Sequence, residues 1–198
     1  MKNKKMIIII TAVLIIIICI FAILVINNDK NKRLEQEYKD LIISTSSDLY
    51  QSEKLAKFHS AYISSIWYNS IFKKRDSYTD KYAFPEDKYG YGINMWADFS
   101  DAINNYISDN CTQLELLSQK DLEFRENLNK LQSKNNKNYQ NHIIILNEMY
   151  SNFSSLISLV NSPTGTYKEY VEKTHKYEEN FDSEYKKILI LLLEIESK

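Results

Sequence analysis

Three histidines carry the side chains best suited to metal binding or proton transfer: His59, His142 and His175. His175 follows Glu172 at the Glu-x-x-His spacing of di-iron helical bundles, but those sites need a second such pair and two further glutamates. The chain contains no second pair. At about 1.5 Å per residue, the three histidines also lie at different heights along the predicted helices. We therefore predict no metal site, and we expect His59 and His142 to lie on helix seams with hydrogen-bonded partners.

Catalytic motifs are absent from the sequence as well. It has no G-x-S-x-G, no P-loop and no GxGxxG, all of which need glycines, and it contains only three. Cys111 is the one cysteine outside the N-terminal apolar run, so no intrachain disulfide is expected. Such a cysteine is usually a small buried residue. The sequence favours a protein that is not an enzyme and needs no cofactor; an enzyme is the last of three function classes considered, because the sequence shows no catalytic site.

The segment Asp76–Ile93 is the stretch in which Pro85, Gly90 and Gly92 break the helical pattern. It carries tyrosines beside acidic residues, and such rings offer contact area to a protein or glycan at little entropic cost. The candidate binding residues are Tyr78, Asp80, Tyr82, Phe84, Tyr89 and Tyr91. The alternative is that these rings only cover one end of a helical bundle formed by the rest of the chain, at the end farthest from the membrane anchor that Met6–Ile26 predicts.

The run Met6–Ile26 predicts a membrane anchor. Its 21 residues include no charge, and as a helix they span about 31 Å, close to the roughly 30 Å hydrocarbon core of a bilayer. The run is longer than the apolar part of a cleaved signal peptide. A lipoprotein would use Cys19, but Ile18 stands where a small residue is normally needed. An uncleaved, single-pass transmembrane helix is therefore the favoured interpretation.

Positive charges flank this helix equally. Three basic residues lie on either side, namely Lys2, Lys4 and Lys5 before it and Lys30, Lys32 and Arg33 after it. The positive-inside rule alone therefore gives no direction. A short basic tail before a long apolar helix is the usual form of a signal anchor. We expect residues 1–5 in the cytoplasm, residues 6–26 in the membrane and residues 27–198 outside the cell.

The rest of the chain is patterned as four helices. A seam of apolar and small residues at alternating steps of four and three predicts the first over about residues 34–75, and a direct continuation from the membrane helix is left open. The seam consists of Tyr38, Ile42, Thr45, Leu49, Ser52, Ala56, His59, Ile63, Ile66 and Ser70. A second helix is predicted from Trp96 to Leu131, a third from His142 to Val160 and a fourth from Tyr170 to Ile195.

The residues that end and begin these helices determine the predicted fold. Pro163 and Gly165 end the third helix, and Thr166 with Glu169 forms a capping box for the fourth. Four amphipathic helices with short connections pack most simply as an antiparallel bundle. The sequence thus predicts an all-α protein, in which an N-terminal transmembrane helix precedes an antiparallel, coiled-coil-like four-helix bundle. The final apolar run Ile188–Leu193 is too short for a second span.

Composition limits the partners. The formal net charge of −1 gives no electrostatic footprint for nucleic acid. The abundance of Ile, Asn, Lys and Tyr indicates an AT-rich genome and a bacterial source. The oligomeric state is left open.

Two short segments carry a resemblance to other proteins. They are Ile66–Ile71 (IWYNSI) on the first predicted helix and Asn161–Thr166 (NSPTGT) before the fourth. With them, most of residues 55–185 resembles a loose group of uncharacterised small membrane-anchored helical proteins of low-GC Gram-positive bacteria. The resemblance implies a tethered helical protein and no particular activity.

The sequence therefore predicts a membrane-tethered, non-catalytic helical interaction module at the cell surface, which binds a protein or envelope partner. The alternative is a small accessory or immunity-type protein that acts on a neighbouring membrane complex through its transmembrane helix. Replacing the anchor with a foreign membrane helix separates the two, because only the second function requires the native span.

Overall fold

The computed structural model describes the backbone of residues 2–85, 96–134 and 136–196, and the side chains of these residues except 2–19, 22–23 and 195–196. The described residues are predominantly helical and contain no strand, which confirms the predicted all-α class. The α-helices are α1 (Lys2–Phe72), α2 (Asp80–Ala83), α3 (Phe99–Asp109), α4 (Cys111–Ser133), α5 (Gln140–Asn161) and α6 (Tyr167–Glu196), and a 3-10 helix covers Lys137–Tyr139.

The chain divides into two compact units, residues 1–41 and residues 42–198. Within the first unit, Arg33 pairs with Glu37 at 3.6 Å. The predicted transmembrane run Met6–Ile26 lies in this unit, and most of its side chains are outside the described ones. The large apolar side chains of the run that are described are all exposed, namely Ile20, Phe21, Leu24, Val25 and Ile26.

Helix α1 buries the predicted seam where it runs through the second unit. The buried seam residues are Ile42, Thr45, Leu49, Ala56, His59, Ile63, Ile66 and Ser70. The helix begins at Lys2, so it is continuous with the predicted membrane helix, and it ends at Phe72 instead of Arg75. Lys73 has a φ of 54°, in the left-handed region, and the Lys74 amide donates to the Asn69 carbonyl at 3.2 Å. Such a left-handed residue is a common helix terminator.

Helices α1 and α6 run antiparallel within the second unit. The ring of Tyr50 stacks on that of Tyr185, with centroids 4.0 Å apart. Farther along α1, the Lys57 ammonium donates to Asp182 at 2.9 Å. The order of contacts along α6 is thus the reverse of the order along α1.

The remaining neighbours are antiparallel as well. Helix α5 packs against both α4 and α6. The rings of Phe124 and Phe153 join α4 to α5 at 5.4 Å, and the Gln132 amide donates to Asn147 at 3.0 Å. Helix α3 contacts α1, where the ring of Phe99 stacks 5.3 Å from that of Trp67.

The second predicted helix is in fact two helices, α3 and α4. Asn110 separates them because its backbone leaves the helical region, and its side-chain amide donates to the Tyr106 carbonyl at 2.8 Å. Asp98 caps α3 by accepting from the Ser100 amide at 2.9 Å. Cys111 is the first residue of α4 and is exposed, so the expectation of a buried cysteine is wrong.

Helix α6 begins with the predicted capping box. The Thr166 amide donates to the Glu169 carboxylate at 2.8 Å, and the Glu169 amide donates to the Thr166 hydroxyl at 3.2 Å. These bonds lower the pKa of Glu169. Gly165 has a φ of +89°, and a Cβ at that position would lie 2.7 Å from the capping carboxylate. Glycine therefore serves both the backbone turn and the cap.

Among the described residues, one segment, Lys137–Asn161, is long and apolar enough to cross a membrane by length and composition alone. The helix within it, α5, lies between α4 and α6 and buries its apolar side. Buried residues on it include Leu146, Met149, Phe153, Leu156 and Val160. This pattern is typical of a core helix in a folded domain.

Candidate functional site

The predicted binding residues divide into exposed and buried positions. Tyr78 is 75% exposed, whereas Tyr82 is 3% exposed. Asp80 and Phe84 are intermediate. Tyr78 is therefore the described member of the set with the most surface available to a partner.

Two of the other candidates, Asp80 and Phe84, are in contact with Arg75. Its guanidinium lies 3.0 Å from the Asp80 carboxylate and 4.2 Å from the centroid of the Phe84 ring. Asp80 and Phe84 thus stabilise the turn after α1. The remaining candidates, Tyr89 and Tyr91, lie outside the described residues.

The turn that carries Tyr78 is organised around Asp76. The Asp76 carboxylate accepts from the amides of Tyr78 and Thr79, both at 2.8 Å, from the Thr79 hydroxyl at 2.9 Å and from the Asn69 side chain. Partial burial alone would raise the pKa of Asp76, but these hydrogen bonds outweigh it and lower the pKa. The Tyr62 hydroxyl also donates to the Tyr78 carbonyl. The backbone beside Tyr78 is therefore held in place before any partner binds.

Tyr82 belongs to a buried ring cluster. Its ring lies 5.3 Å from that of Tyr106, which stacks 4.9 Å from Tyr62 and whose hydroxyl is 2.7 Å from His59 Nδ1. Burial raises the pKa of Tyr106 and lowers the pKa of His59, so both are neutral near pH 7. Tyr82 contributes to the core at this position and has little surface to offer a partner.

The three histidines lie in different places and have different partners. His142 is buried, with Nε2 3.3 Å from the Leu191 carbonyl. The predicted hydrogen-bonded partners of His59 and His142 are thus confirmed. His175 is exposed and lies 3.1 Å from Glu179. Within the described part of the chain, no group of three or more His, Cys, Asp or Glu side chains is arranged to hold a metal ion.

The surface of α1 opposite the seam presents a second line of residues. We call it the outer face; it consists of Phe58, Ala61, Ser65, Tyr68 and Phe72, all of them exposed. Each lies two positions after a seam residue, which is about 200° around an α-helix. The outer face therefore lies on the opposite side of α1 from the seam, and Tyr68 at its edge still reaches Tyr167 of α6.

The outer face is aromatic and uncharged. Phe58 is 54%, Tyr68 38% and Phe72 53% exposed. From Phe58 to Phe72 the sequence contains no Asp, Glu, Lys or Arg, although a solvent-facing helix surface ordinarily carries charge. The Tyr68 ring contacts that of Phe72 at 4.6 Å and that of Tyr167 at 5.9 Å. Exposed apolar surface of this kind is typical of an interaction site.

A groove joins the outer face to the turn after α1. It has a volume of about 510 Å³. Its lining comprises Phe58, Ala61, Tyr62, Ser65, Asp76, Tyr78 and Thr79. The exposed ring of Tyr78 thus lies on one flank of the outer face, and the two form one continuous surface.

A group of three charged residues lies between α1 and α6, in which Glu53 is buried and Lys57 and Asp182 are partly exposed. The Lys57 ammonium lies 2.9 Å from both Asp182 oxygens and 3.0 Å from a Glu53 oxygen. The Glu53 contact has the distance of an ion pair without hydrogen-bond geometry, so neither carboxylate oxygen has a hydrogen-bond partner among the described residues. Burial raises the pKa of Glu53 to about 7; Lys57 opposes this shift, and Asp182 and Glu178 add to it.

The sequence prediction located the turn but missed the outer face. The signal was present, because Phe58, Ala61, Ser65, Tyr68 and Phe72 repeat the four-and-three spacing two positions after the seam. Because the seam alone predicts the helix, this second line adds nothing to the secondary-structure prediction, and its exposure is evident only in the structure.

Comparison of the chain with models of protein families, with curated proteins and with solved structures found no match. The outer face is the candidate interaction site because its residues are exposed, regularly spaced and uncharged.

Proposed function

We propose that this protein is a membrane-tethered, non-catalytic interaction module at the cell surface. Met6–Ile26 forms the single membrane span, and the rest of the chain forms an antiparallel, coiled-coil-like four-helix bundle outside the cell. The exposed apolar side chains between Ile20 and Ile26 support the span, because such surface is stable in lipid and costly in water. The antiparallel contacts of α1, α4, α5 and α6 support the bundle.

The observation that carries this function is the outer face of α1 with Tyr78 at its flank. Its rings are exposed and held by neighbouring rings, and the line carries no charged residue between Phe58 and Phe72. Aromatic residues are enriched in protein interfaces, and charged residues are depleted at interface centres. The partner that fits this surface is a protein with a complementary apolar surface.

Site-specific photo-crosslinking in intact cells tests this proposal. A photoreactive residue at position 68 should form a discrete adduct with a protein. The same residue at position 122 provides the matched control, because Leu122 is 56% exposed on α4, outside the candidate site. Equal adduct formation at the two positions would mean that the outer face has no preferred partner.

Two tyrosine variants separate binding from folding. Tyr78→Ser should reduce the adduct from position 68 while leaving the thermal midpoint nearly unchanged, because the exposed ring contributes little to the core. Tyr82→Ser should lower the thermal midpoint, because it removes a ring packed against Tyr106. Replacing Met6–Ile26 with a foreign membrane helix should preserve the adduct. Loss of the adduct would instead favour action through the native membrane helix.

A further inference from the structure

We propose that the outer face of α1 binds the outer face of a second copy of this chain, so that two α1 helices pair in parallel. This inference rests on the proposed membrane anchor and names the partner of the proposed interaction surface. Four features support it: the proposed common anchor, the pattern of side-chain sizes, the absence of charge and the length of the face.

The anchor favours parallel pairing in register. Two copies in one membrane emerge on the same side, and each has the same number of residues between the apolar run and the outer face. Identical residues of two copies are therefore brought to the same height without any further specificity element. An unrelated partner would need its own complementary surface at that height.

The sizes of the side chains suit close approach of two helices. Ala61 and Ser65 are small, whereas Phe58, Tyr68 and Phe72 are large and lie toward the ends of the line. The steps between them are three, four, three and four residues, which is the spacing of a parallel coiled-coil seam. Small residues at the centre let the backbones approach, while the flanking rings bury area against their counterparts.

The absence of charge matters most for self-pairing. A parallel pair places each residue opposite its own copy, so any charged residue on the line would face a like charge. Between Phe58 and Phe72 there is none. The next residue on the same line toward the N-terminus is Lys54, whose ammonium lies 4.2 Å from the centroid of the Tyr50 ring on its own helix. That contact gives the charge a partner away from the paired face.

The length of the face indicates where the pair forms. The fifteen residues from Phe58 to Phe72 rise about 21 Å, which is about four helical turns. Two helices in contact along four turns bury less surface than the roughly 1,200–2,000 Å² of a standard interface. Such a contact is weak between freely diffusing molecules. Confinement to one membrane raises the effective concentration and compensates for the small area. We therefore expect pairing in the membrane and dissociation on dilution in detergent.

Disulfide crosslinking of the full chain in native membranes tests the pairing. The background carries Cys19→Ala and Cys111→Ser, and Ser65→Cys is then introduced on the outer face. Mild oxidation should convert most of this variant to a species of twice the chain mass. Ser183→Cys is the matched control, because Ser183 is also an exposed serine but lies on α6. We expect at least a tenfold lower dimer yield from it.

A second change separates pairing from random collision. Ala61→Lys, added to Ser65→Cys, places like charges opposite each other at an exposed position, and it should abolish the dimer while the circular dichroism spectrum is retained. Equal dimer yields from Ser65→Cys and Ser183→Cys would overturn the proposal. So would crosslinking of Ser65→Cys to a protein of another mass, although that result would still support the proposed interaction function. Absence of both the dimer and the photo-adduct from position 68 would overturn both.

Discussion

Glu53 lies in the contact between α1 and α6, where its side chain is 1% exposed. Desolvation disfavours its charged form, and the pKa of about 7 lies above the ordinary value of 4.5. Between these two values the folded chain binds more protons than the unfolded chain. The free energy of unfolding therefore falls as the pH rises through this interval, by about 1.4 kcal/mol per pH unit.

Removing this titration should change the pH dependence of stability. The native chain should lose about 3 kcal/mol of its free energy of unfolding between pH 4 and pH 8 through this titration, and Glu53→Gln should not. The difference between the two free energies of unfolding should therefore shift by that amount in favour of the variant. Urea denaturation of the full chain in detergent, followed by the fluorescence of the buried Trp67, measures this difference. Glu126→Gln, on the exposed side of α4, controls for loss of a carboxylate. Parallel pH profiles for native chain and Glu53→Gln would contradict the assignment.

Some single-residue environments follow from the sequence and others do not. The seam spacing placed His59 on a buried helix face, and the structure supplies Tyr106 as its partner. The raised pKa of Glu53 could not be predicted, because Asp182 and Glu178, which add to the effect of burial, lie on α6, far from Glu53 in the chain. The burial of Tyr82 likewise depends on the rings of other helices.

The helices themselves are held together by rings on facing seams. Phe153 on α5 and Phe181 on α6 are both fully buried, as their seam positions predict. Phe153→Ala and Phe181→Ala should each lower the free energy of unfolding by roughly 3–5 kcal/mol, the usual cost of removing a buried aromatic ring. Ile144→Ala should cost less than about 1 kcal/mol, since Ile144 is exposed on α5. Urea denaturation compares the three, and equal costs would show that exposure is misassigned.

Helix ends were predictable where a short-range rule fixes them. Thr166 and Glu169 meet this condition, because both hydrogen bonds of the capping box lie within four residues. The break at Asn110 was not predictable, because the apolar spacing continues across it to Leu114 and Leu117. Cys111 is the residue directly after that break, at the first position of α4, and it is exposed.

If Met6–Ile26 spans a membrane as proposed, the side of the membrane on which residues 27–198 lie decides which partners they can meet. The basic residues on either side of Met6–Ile26 balance, so local charge does not determine this. The all-α class required only helical spacing, whereas orientation requires information about insertion that spacing does not contain. The proposed cell-surface function requires residues 27–198 to lie outside the cell, whereas the proposed pairing of α1 requires only that both copies emerge on the same side of the membrane.

Cys111 provides a direct measurement of orientation. It is exposed at the start of α4, and the only other cysteine, Cys19, lies within the apolar run. A charged, membrane-impermeant maleimide should therefore label the full chain on intact, wall-stripped cells, to the same extent as after permeabilisation. Cys111→Ser should remove the label, which controls for reaction at Cys19. Labelling only after permeabilisation would place the domain in the cytoplasm, because the reagent reaches that compartment only when the membrane is opened.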